Sequence, residues 1–186
     1  MSRVTPPMPG AGARARLLEE MIRVDHAGEF GAVHIYRGQR AVFDRVGAKS
    51  HAASLIAEME AGEQEHLRTF DRLIAERGVR PTLMAPIWRA AGFGLGAVTA
   101  LMGERAAHAC TEAVEEVIEE HYARQSDALD GVDEELKDVV DRFRADEVAH
   151  KETAIDQGAR EAPGYEVLSA VIRFGCRAAI RISEKI

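Results

Sequence analysis

The stretch DEVAH, residues 146–150, holds a glutamate and a histidine three positions apart. The same Glu-x-x-His spacing occurs earlier in EQEH, residues 63–66. Residues three apart share one face of an α-helix, so each pair presents a carboxylate beside an imidazole. A chain of this composition contains about one such pair by chance, and a single pair is also typical of a solvated, charged helix. The residues around the two pairs decide between these interpretations.

The two halves of the chain repeat one pattern. The second Glu-x-x-His pair lies 84 residues after the first, and Glu115 lies 86 residues after Glu29. Glu29 and Glu115 are each followed by a tyrosine at the seventh position and a glutamine at the tenth. One duplicated unit explains all these matches. It predicts repeat halves at about residues 14–103 and 104–186, each with a Glu helix, a Glu-x-x-His helix and an apolar helix.

The segments between these motifs are typical of helices, because Ala, Glu, Arg and Leu dominate them and proline is almost absent. No alternation of period two supports a sheet. We predict an all-α fold, a four-helix bundle with two additional helices in a single domain after a flexible tail at 1–13. Ser50 and Asp133 are the expected N-caps of the second and fourth bundle helices. The predicted bundle helices cover about 14–46, 50–77, 104–129 and 133–158, and the additional ones about 84–103 and 165–183.

The repeated glutamates fall on otherwise apolar helix faces. Ile22, Glu29, Tyr36 and Phe43, for example, follow one another at intervals of seven. A carboxylate in such a position costs several kcal/mol unless it is paired or binds a metal. One Glu from each of two helices and Glu-x-x-His from each of two others is the ligand set of ferritin-like di-iron proteins. We therefore predict a site for two iron ions with the ligands Glu29, Glu63, His66, Glu115, Glu147 and His150.

The third bundle helix leaves alternatives for its ligand. Glu112, Glu116 and Glu119 lie near the same stripe as Glu115, and only the repeat selects Glu115. On the first helix, Asp25 lies one turn before the predicted ligand, as a weaker alternative or as a partner of that ligand.

Several other polar residues have two interpretations. Asp146 is placed either to hydrogen-bond a ligand imidazole or to face solvent. Tyr36 and Tyr122 either line the site or pack as core aromatics, and His121 stays undecided. The remaining histidines and both cysteines are interpreted as ordinary residues, and the absence of a CxxC motif favours a reducing compartment. These are His26, His34, His51, His108, Cys110 and Cys176.

The two additional helices suggest contact with a lipid surface. Residues 90–103 carry four glycines and no charge, and Arg173, Arg177 and Arg181 recur every four positions beside apolar residues. A basic stripe beside an apolar face is typical of a helix lying on an anionic membrane. Both helices equally fit a role in covering the bundle or forming a dimer interface, and the glycine-rich one also suits a groove for a lipid tail. No uncharged apolar run reaches the roughly 18 residues of a spanning helix.

The overall charge bears on the class of partner. The chain has 24 basic and 31 acidic residues, a net charge of -7. Nucleic-acid-binding domains normally show a basic excess, so nucleic acid is not the expected partner.

Seven segments resemble the demethoxyubiquinone hydroxylases of ubiquinone biosynthesis, from about residue 17 to the C-terminus. They are VDHAGEFGAVHIYRGQ (24–39), EQEHLRTF, RPTLMAPIW, GFGLGAVTALMG, ACTEAVEEVIEEHY, DEVAHKE and GCRAAIRISEKI. The resemblance implies a di-iron monooxygenase bound peripherally to the cytoplasmic face of a bacterial inner membrane. It would hydroxylate the ring of a polyprenylated demethoxyubiquinone with O2 and electrons from NADH. The iron ligands carried over by position are the six that the repeat selects, with Glu63 and Glu147 as bridges.

The sequence also bears on the electron donor, the partners and the alternative to this implied function. No G-x-G-x-x-G fingerprint is present, so NADH would act through a surface or a quinone-mediated route. Other ubiquinone-biosynthesis proteins and a second copy of the chain are further possible partners. The alternative function is iron oxidation and storage by a ferritin-like protein, which predicts a compact soluble bundle without the two apolar helices.

Overall fold

The fold is described by a computed structural model that covers residues 10–47 and 51–186. These residues form six α-helices and no strand, which confirms the all-α prediction. A short 3-10 turn at Ala159–Glu161 precedes the last helix. The helices are α1 (Ala11–Gly47), α2 (His51–Arg77), α3 (Ala85–Leu101), α4 (Glu104–Leu129), α5 (Glu134–Asp156) and α6 (Tyr165–Ser183).

The predicted helix ends are close to the observed ones. Helix α1 begins at Ala11, about three residues before the predicted start. The cap prediction for α5 is confirmed, because the Asp133 side chain accepts a hydrogen bond from the Leu136 backbone N–H at 3.1 Å. Between α3 and α4, Gly103 adopts a φ of 116°, which a residue with a side chain rarely takes. Ser50, the other predicted cap, lies outside the described residues.

The packing reproduces the internal repeat. Helix α1 packs along α2 and α3, and α4 packs along α5 and α6. Two apolar clusters lie in the bundle, one containing Tyr36 and the other Tyr122. Further members of the two clusters also correspond at the repeat spacings of 86 and 84 residues. These matched pairs are Phe43 with Leu129, Ile56 with Val140, and Met59 with Phe143.

Glycines bring α1 and α3 into backbone contact. A Cβ added at Gly96 would lie 1.9 Å from the Ile35 carbonyl oxygen, and one at Gly38 would lie 2.1 Å from the Phe93 carbonyl oxygen. No side chain fits at either position without moving a helix. Part of the glycine-rich segment therefore covers the bundle, which was one of its predicted roles.

Replacing Gly96 by alanine should force α1 and α3 apart. Because the obstacle is backbone, we expect a loss of about 2 kcal/mol or more in the free energy of unfolding, toward the upper range for overpacking. Gly94 is the matched control on the same helix, since a Cβ there meets no atom within 4 Å. Its replacement by alanine should stabilise the helix by up to about 1 kcal/mol. Urea unfolding measures both changes, and equal effects would contradict the close helix contact.

The outward faces of α3 and α6 are apolar. Leu101 is 74% exposed, and Phe174 on α6 is 76% exposed. The α6 arginines lie on a different side of that helix, where Arg173 and Arg177 donate to Glu116 and Glu120 of α4 at 2.9 and 3.0 Å. No helix in the described ranges is long and apolar enough to cross a bilayer. Two of the three stripe arginines thus bind the bundle, and the open face of α6 carries aliphatic and aromatic side chains.

Candidate metal centre

The bundle brings the six predicted ligands together in its interior. They form two overlapping groups, and within each group the ligand atoms lie within 4.8 Å of one another. Glu63 and Glu147 belong to both groups, which is what bridging carboxylates require. The first group is Glu29, Glu63, His66 and Glu147, and the second is Glu63, Glu115, Glu147 and His150.

The imidazoles lie against the shared carboxylates. His66 Nδ1 is 3.1 Å from Glu147 Oε1 and 3.6 Å from Glu29 Oε2. His150 Nδ1 is 3.0 Å from Glu63 Oε1 and 3.5 Å from Glu147 Oε2. All four carboxylates are at most 1% exposed. The cluster is therefore compact, buried and rich in carboxyl groups.

The cluster holds buried polar atoms that lack hydrogen-bond partners among the described residues. A dry site normally leaves few such atoms, because each costs about 1–3 kcal/mol. Carboxylate oxygens and imidazole nitrogens at this density form the donor set of a dinuclear cation site. The residues present thus fit two metal ions. The atoms are one oxygen each of Glu29 and Glu115, both oxygens of Glu63 and Glu147, and Nδ1 of His66 and His150.

In the absence of bound cations, the pKa values of the ligand side chains show which of them hold protons. Burial, together with the charge of Glu147, holds the pKa of Glu63 and Glu115 well above the ordinary range. Burial opposes protonation of the imidazoles, but the adjacent carboxylates outweigh it and raise the pKa of His66 to about 12 and that of His150 to about 10. Burial likewise opposes ionisation of Glu147, yet the two imidazoles lower its pKa to about 2.

Metal loading at pH 7 should therefore release protons. Both imidazoles are cationic at that pH, and Glu63 and Glu115 hold protons as well, so we expect the release of more than two protons as both positions fill. Affinity should rise with pH, up to about 10 at the position of His150 and up to about 12 at the position of His66. Calorimetric titration with Mn(II) in two buffers of different ionisation enthalpy measures the proton count. Mn(II) complexed beforehand with EDTA is the control, and a buffer-independent enthalpy would contradict the prediction.

Two tyrosines connect the halves of the repeat. The Tyr36 hydroxyl donates to Glu115 Oε1 at 2.6 Å, and the Tyr122 hydroxyl donates to Glu29 Oε1. Both rings are 1% exposed and belong to the apolar clusters, so each tyrosine both lines the site and packs in the core. Each hydrogen bond fixes a carboxylate so that its other oxygen faces the cluster.

The four glutamates of α4 have different surroundings. Glu115 is fully buried and faces the cluster. The other three glutamates pair with basic side chains elsewhere, which neutralises them without a cation. The pairs are Glu112 with Arg160, Glu116 with Arg173, and Glu119 with Lys151.

Two aspartates flank the cluster without joining it. Asp146 Oδ2 lies 3.1 Å from His66 Nε2, so this residue contacts a candidate ligand imidazole as one of its interpretations predicted. Asp25 is buried and accepts a hydrogen bond from Gln125 Nε2 at 2.8 Å, with His121 Nε2 at 3.3 Å. Burial raises the pKa of Asp25. The sequence did not predict this network, although the repeat had identified Gln125 as the counterpart of Gln39.

The remaining histidines and the cysteines stay outside both ligand groups. His26 lies 3.0 Å from Asp71, and burial lowers the pKa of His108 to about 4. Both cysteines are free thiols, and burial raises the pKa of Cys110.

An apolar cavity of about 420 Å³ lies between α1, α3, α4 and α6. Its walls include Trp88, Leu95, Ile118 and Ile172, with small residues that keep the space open. Gly28, adjacent in sequence to Glu29, is part of the wall on α1. The helices thus enclose the kind of groove that the glycine-rich segment suggested.

A comparison with protein families adds to this geometry. The family described as ubiquinone biosynthesis protein COQ7 matches residues 16–183, which include all six predicted ligands. The chain belongs to the COQ7 family. The resemblance seen in the sequence motifs is thereby confirmed.

Similar COQ7-family relatives include bacterial and mitochondrial proteins. The 3-demethoxyubiquinol 3-hydroxylase of Rhodospirillum rubrum is 47% identical over 96% of this chain and 83% of its own length. The human NADPH-dependent 3-demethoxyubiquinone 3-hydroxylase is 43% identical over 91% of this chain and 78% of its own. The 5-demethoxyubiquinone hydroxylase of Saccharomyces cerevisiae is 39% identical, with shares of 94% and 80%.

Proposed function

We propose that this chain hydroxylates the ring of a polyprenylated demethoxyubiquinone or its quinol in ubiquinone biosynthesis, using O2 and two iron ions. One observation carries the proposal: the bundle holds a buried cluster with two shared carboxylates, and Gly28 and Val114, which precede Glu29 and Glu115, line an apolar cavity of about 420 Å³. The names of the similar relatives support the same reaction. Iron bound at the cluster would supply the activation of O2.

The protein's own residues would hold and orient the reacting groups. Glu29 and His66 would hold one ion, Glu115 and His150 the other, and the two shared glutamates would bridge them. The crossed tyrosines Tyr36 and Tyr122 would keep Glu29 and Glu115 aimed inward. Burial of the cluster would exclude water, which protects a reactive oxidant from side reactions.

The apolar cavity is the proposed quinone site. Its aliphatic and aromatic walls suit an isoprenoid tail, because such a tail gains about 25 cal/mol per Å² of apolar surface removed from water. Gly28 lines the cavity and precedes Glu29 in the sequence, so a ring at that end of the cavity would lie near the cluster. The exposed apolar faces of α3 and α6 border this cavity and would let the protein take its substrate from a bilayer as a peripheral protein.

The electron donor is a reduced nicotinamide cofactor by family resemblance, and the human relative is named as NADPH-dependent. The cytoplasmic face of a bacterial inner membrane is the proposed location. An iron-storage role would use the carboxylate cluster but neither the apolar cavity nor the outward apolar faces, so these features favour the hydroxylase.

Filling the cavity provides the test. Gly31 and Gly175 line opposite walls, and a Cβ at either meets no atom within 4 Å. Leucine at each position should occupy substrate space while leaving all six ligands in place. We expect kcat/KM for a demethoxyquinone to fall by at least about tenfold, more than one misplaced methylene in a pocket usually costs. Anaerobic loading with Fe(II), followed by NADH, O2 and substrate, gives the rate and the product.

The matched control is Gly94→Leu, which adds the same side chain in open space on α3, outside the cavity. It should keep both iron content and rate. Loss of rate with iron retained only in the cavity variants supports the quinone site. An iron-loaded wild-type protein that oxidises Fe(II) but forms no hydroxylated quinone would favour storage instead.

A further inference from the structure

We propose that the two metal positions are unequal, and that the position of Glu29 and His66 fills before the position of Glu115 and His150. The inference rests on the proposed metal site and goes beyond it, because it assigns Asp146 as the positioning residue that creates the difference. The repeat makes the comparison direct, since each position has a counterpart 84 or 86 residues away.

The His66 imidazole is held from outside the cluster. Its Nε2 lies 3.1 Å from Asp146 Oδ2, and its ring stacks on Phe143 with ring centroids 3.9 Å apart. The residue is 3% exposed. The carboxylate favours a proton on Nε2, which leaves the Nδ1 lone pair directed at the cluster.

Within the described part of the chain, the His150 imidazole has no carboxylate at its Nε2. The residue 84 positions before Asp146 is Gly62, and a Cβ placed there would lie 3.4 Å from His150 Nε2. Among the described residues, the ion-pair contacts of His150 all involve Nδ1. Its side chain is 15% exposed, against 4% for His66. The repeat thus places a carboxylate behind one imidazole and a glycine behind the other.

This difference acts on metal affinity. A carboxylate behind a ligand histidine fixes the tautomer and raises the basicity of the ring, and its loss typically lowers metal affinity about 10–100-fold. The remaining ligands do not oppose the difference, because Glu63 and Glu147 are shared and each outer glutamate accepts from one tyrosine. We therefore expect the position of His66 to bind about 10–100-fold more tightly when both imidazoles are neutral.

Titration of the full chain with Mn(II), followed by EPR, tests the order of filling. The first equivalent should give the six-line spectrum of an isolated ion, and the second should convert it to the spectrum of a coupled pair. Glu29→Ala should remove the tight step, whereas Glu115→Ala should keep it and remove the weak one. Asp146→Asn, of nearly the same size, should weaken the first step about 10–100-fold.

The converse substitution is the sharper test. Gly62→Asp supplies the missing carboxylate and should strengthen the second step, whereas Gly62→Ala adds only the Cβ and should not. A coupled spectrum from the first addition, or an Asp146→Asn variant with an unchanged first step, would overturn the inference. Ordered binding without hydroxylated product would refute only the proposed reaction, and no Mn(II) bound to a folded wild type would refute the metal site itself.

Discussion

Replacing Glu147 by alanine is expected to release both metal ions and abolish hydroxylation. Glu147 belongs to both ligand groups, and neither of its oxygens has a hydrogen-bond partner among the described residues. Its two oxygens lie 3.1 Å from His66 Nδ1 and 3.5 Å from His150 Nδ1, so one residue faces both positions. Affinity for each ion should fall by more than about 100-fold, because residues that merely orient a ligand already contribute up to that factor.

A comparison with Glu29, which would bind only one of the two ions, makes the prediction for Glu147 specific. Glu29 belongs to one group only, so Glu29→Ala should empty mainly one position. Glu119→Ala removes the same charge where the carboxylate pairs with Lys151, and it should retain two ions. Iron per chain after desalting, together with product formation, distinguishes the three variants. Two tightly bound ions in Glu147→Ala would show that this residue is not a ligand.

The convergence of the six candidate ligands in the bundle interior could be predicted from the repeat and the residue spacing. A helix places residues three apart on one face, and duplication repeats that spacing, so Glu63 and His66 predict Glu147 and His150 without knowledge of the packing. The same reasoning identified six helices, since long runs of strong helix formers end at glycine or proline.

Contacts between the halves could not be predicted in this way. Tyr36 donates to Glu115 rather than to Glu29 of its own helix, and Asp146 contacts His66 rather than the nearby His150. These choices depend on how the two halves meet, which no local pattern encodes. The same holds for Arg173, whose partner on α4 lies 57 positions away in the chain.

Distances between helices could not be predicted from the sequence either. The composition of the glycine-rich segment allowed membrane contact, packing or a groove. The structure combines packing and a groove, because Gly96 lets α3 touch the α1 backbone while Gly92 and Leu95 line the adjacent cavity. A difference of one or two ångströms in helix separation decides between a closed core and a cavity, and composition does not determine it.

Replacing Glu115 by glutamine should raise the free energy of unfolding of the metal-free protein and lower that of the metal-bound protein. In the metal-free protein, burial and the charge of Glu147 hold the pKa of Glu115 well above its ordinary 4.5. The folded state therefore retains a proton that the unfolded chain releases, so wild-type stability falls as pH rises from about 4.5 toward the raised pKa. Glutamine carries no such proton and can still accept from Tyr36. The metal-free variant should be more stable at pH 7 by about 1–3 kcal/mol.

With metal bound, Glu115→Gln should instead lower the free energy of unfolding. Each ion that binds only the folded state stabilises it by RT ln(1 + [L]/Kd), about 4 kcal/mol at a free concentration 1,000-fold above Kd. Glutamine removes the anionic ligand unique to the position of His150, so the variant should lose most of that position's contribution. Urea unfolding at pH 5 and pH 7, in EDTA and in excess Mn(II), gives the four values needed. Glu116→Gln, whose wild-type carboxylate pairs with Arg173, is the control and should show no metal-dependent change. Equal destabilisation of Glu115→Gln with and without metal would mean that its carboxylate serves the fold rather than a cation.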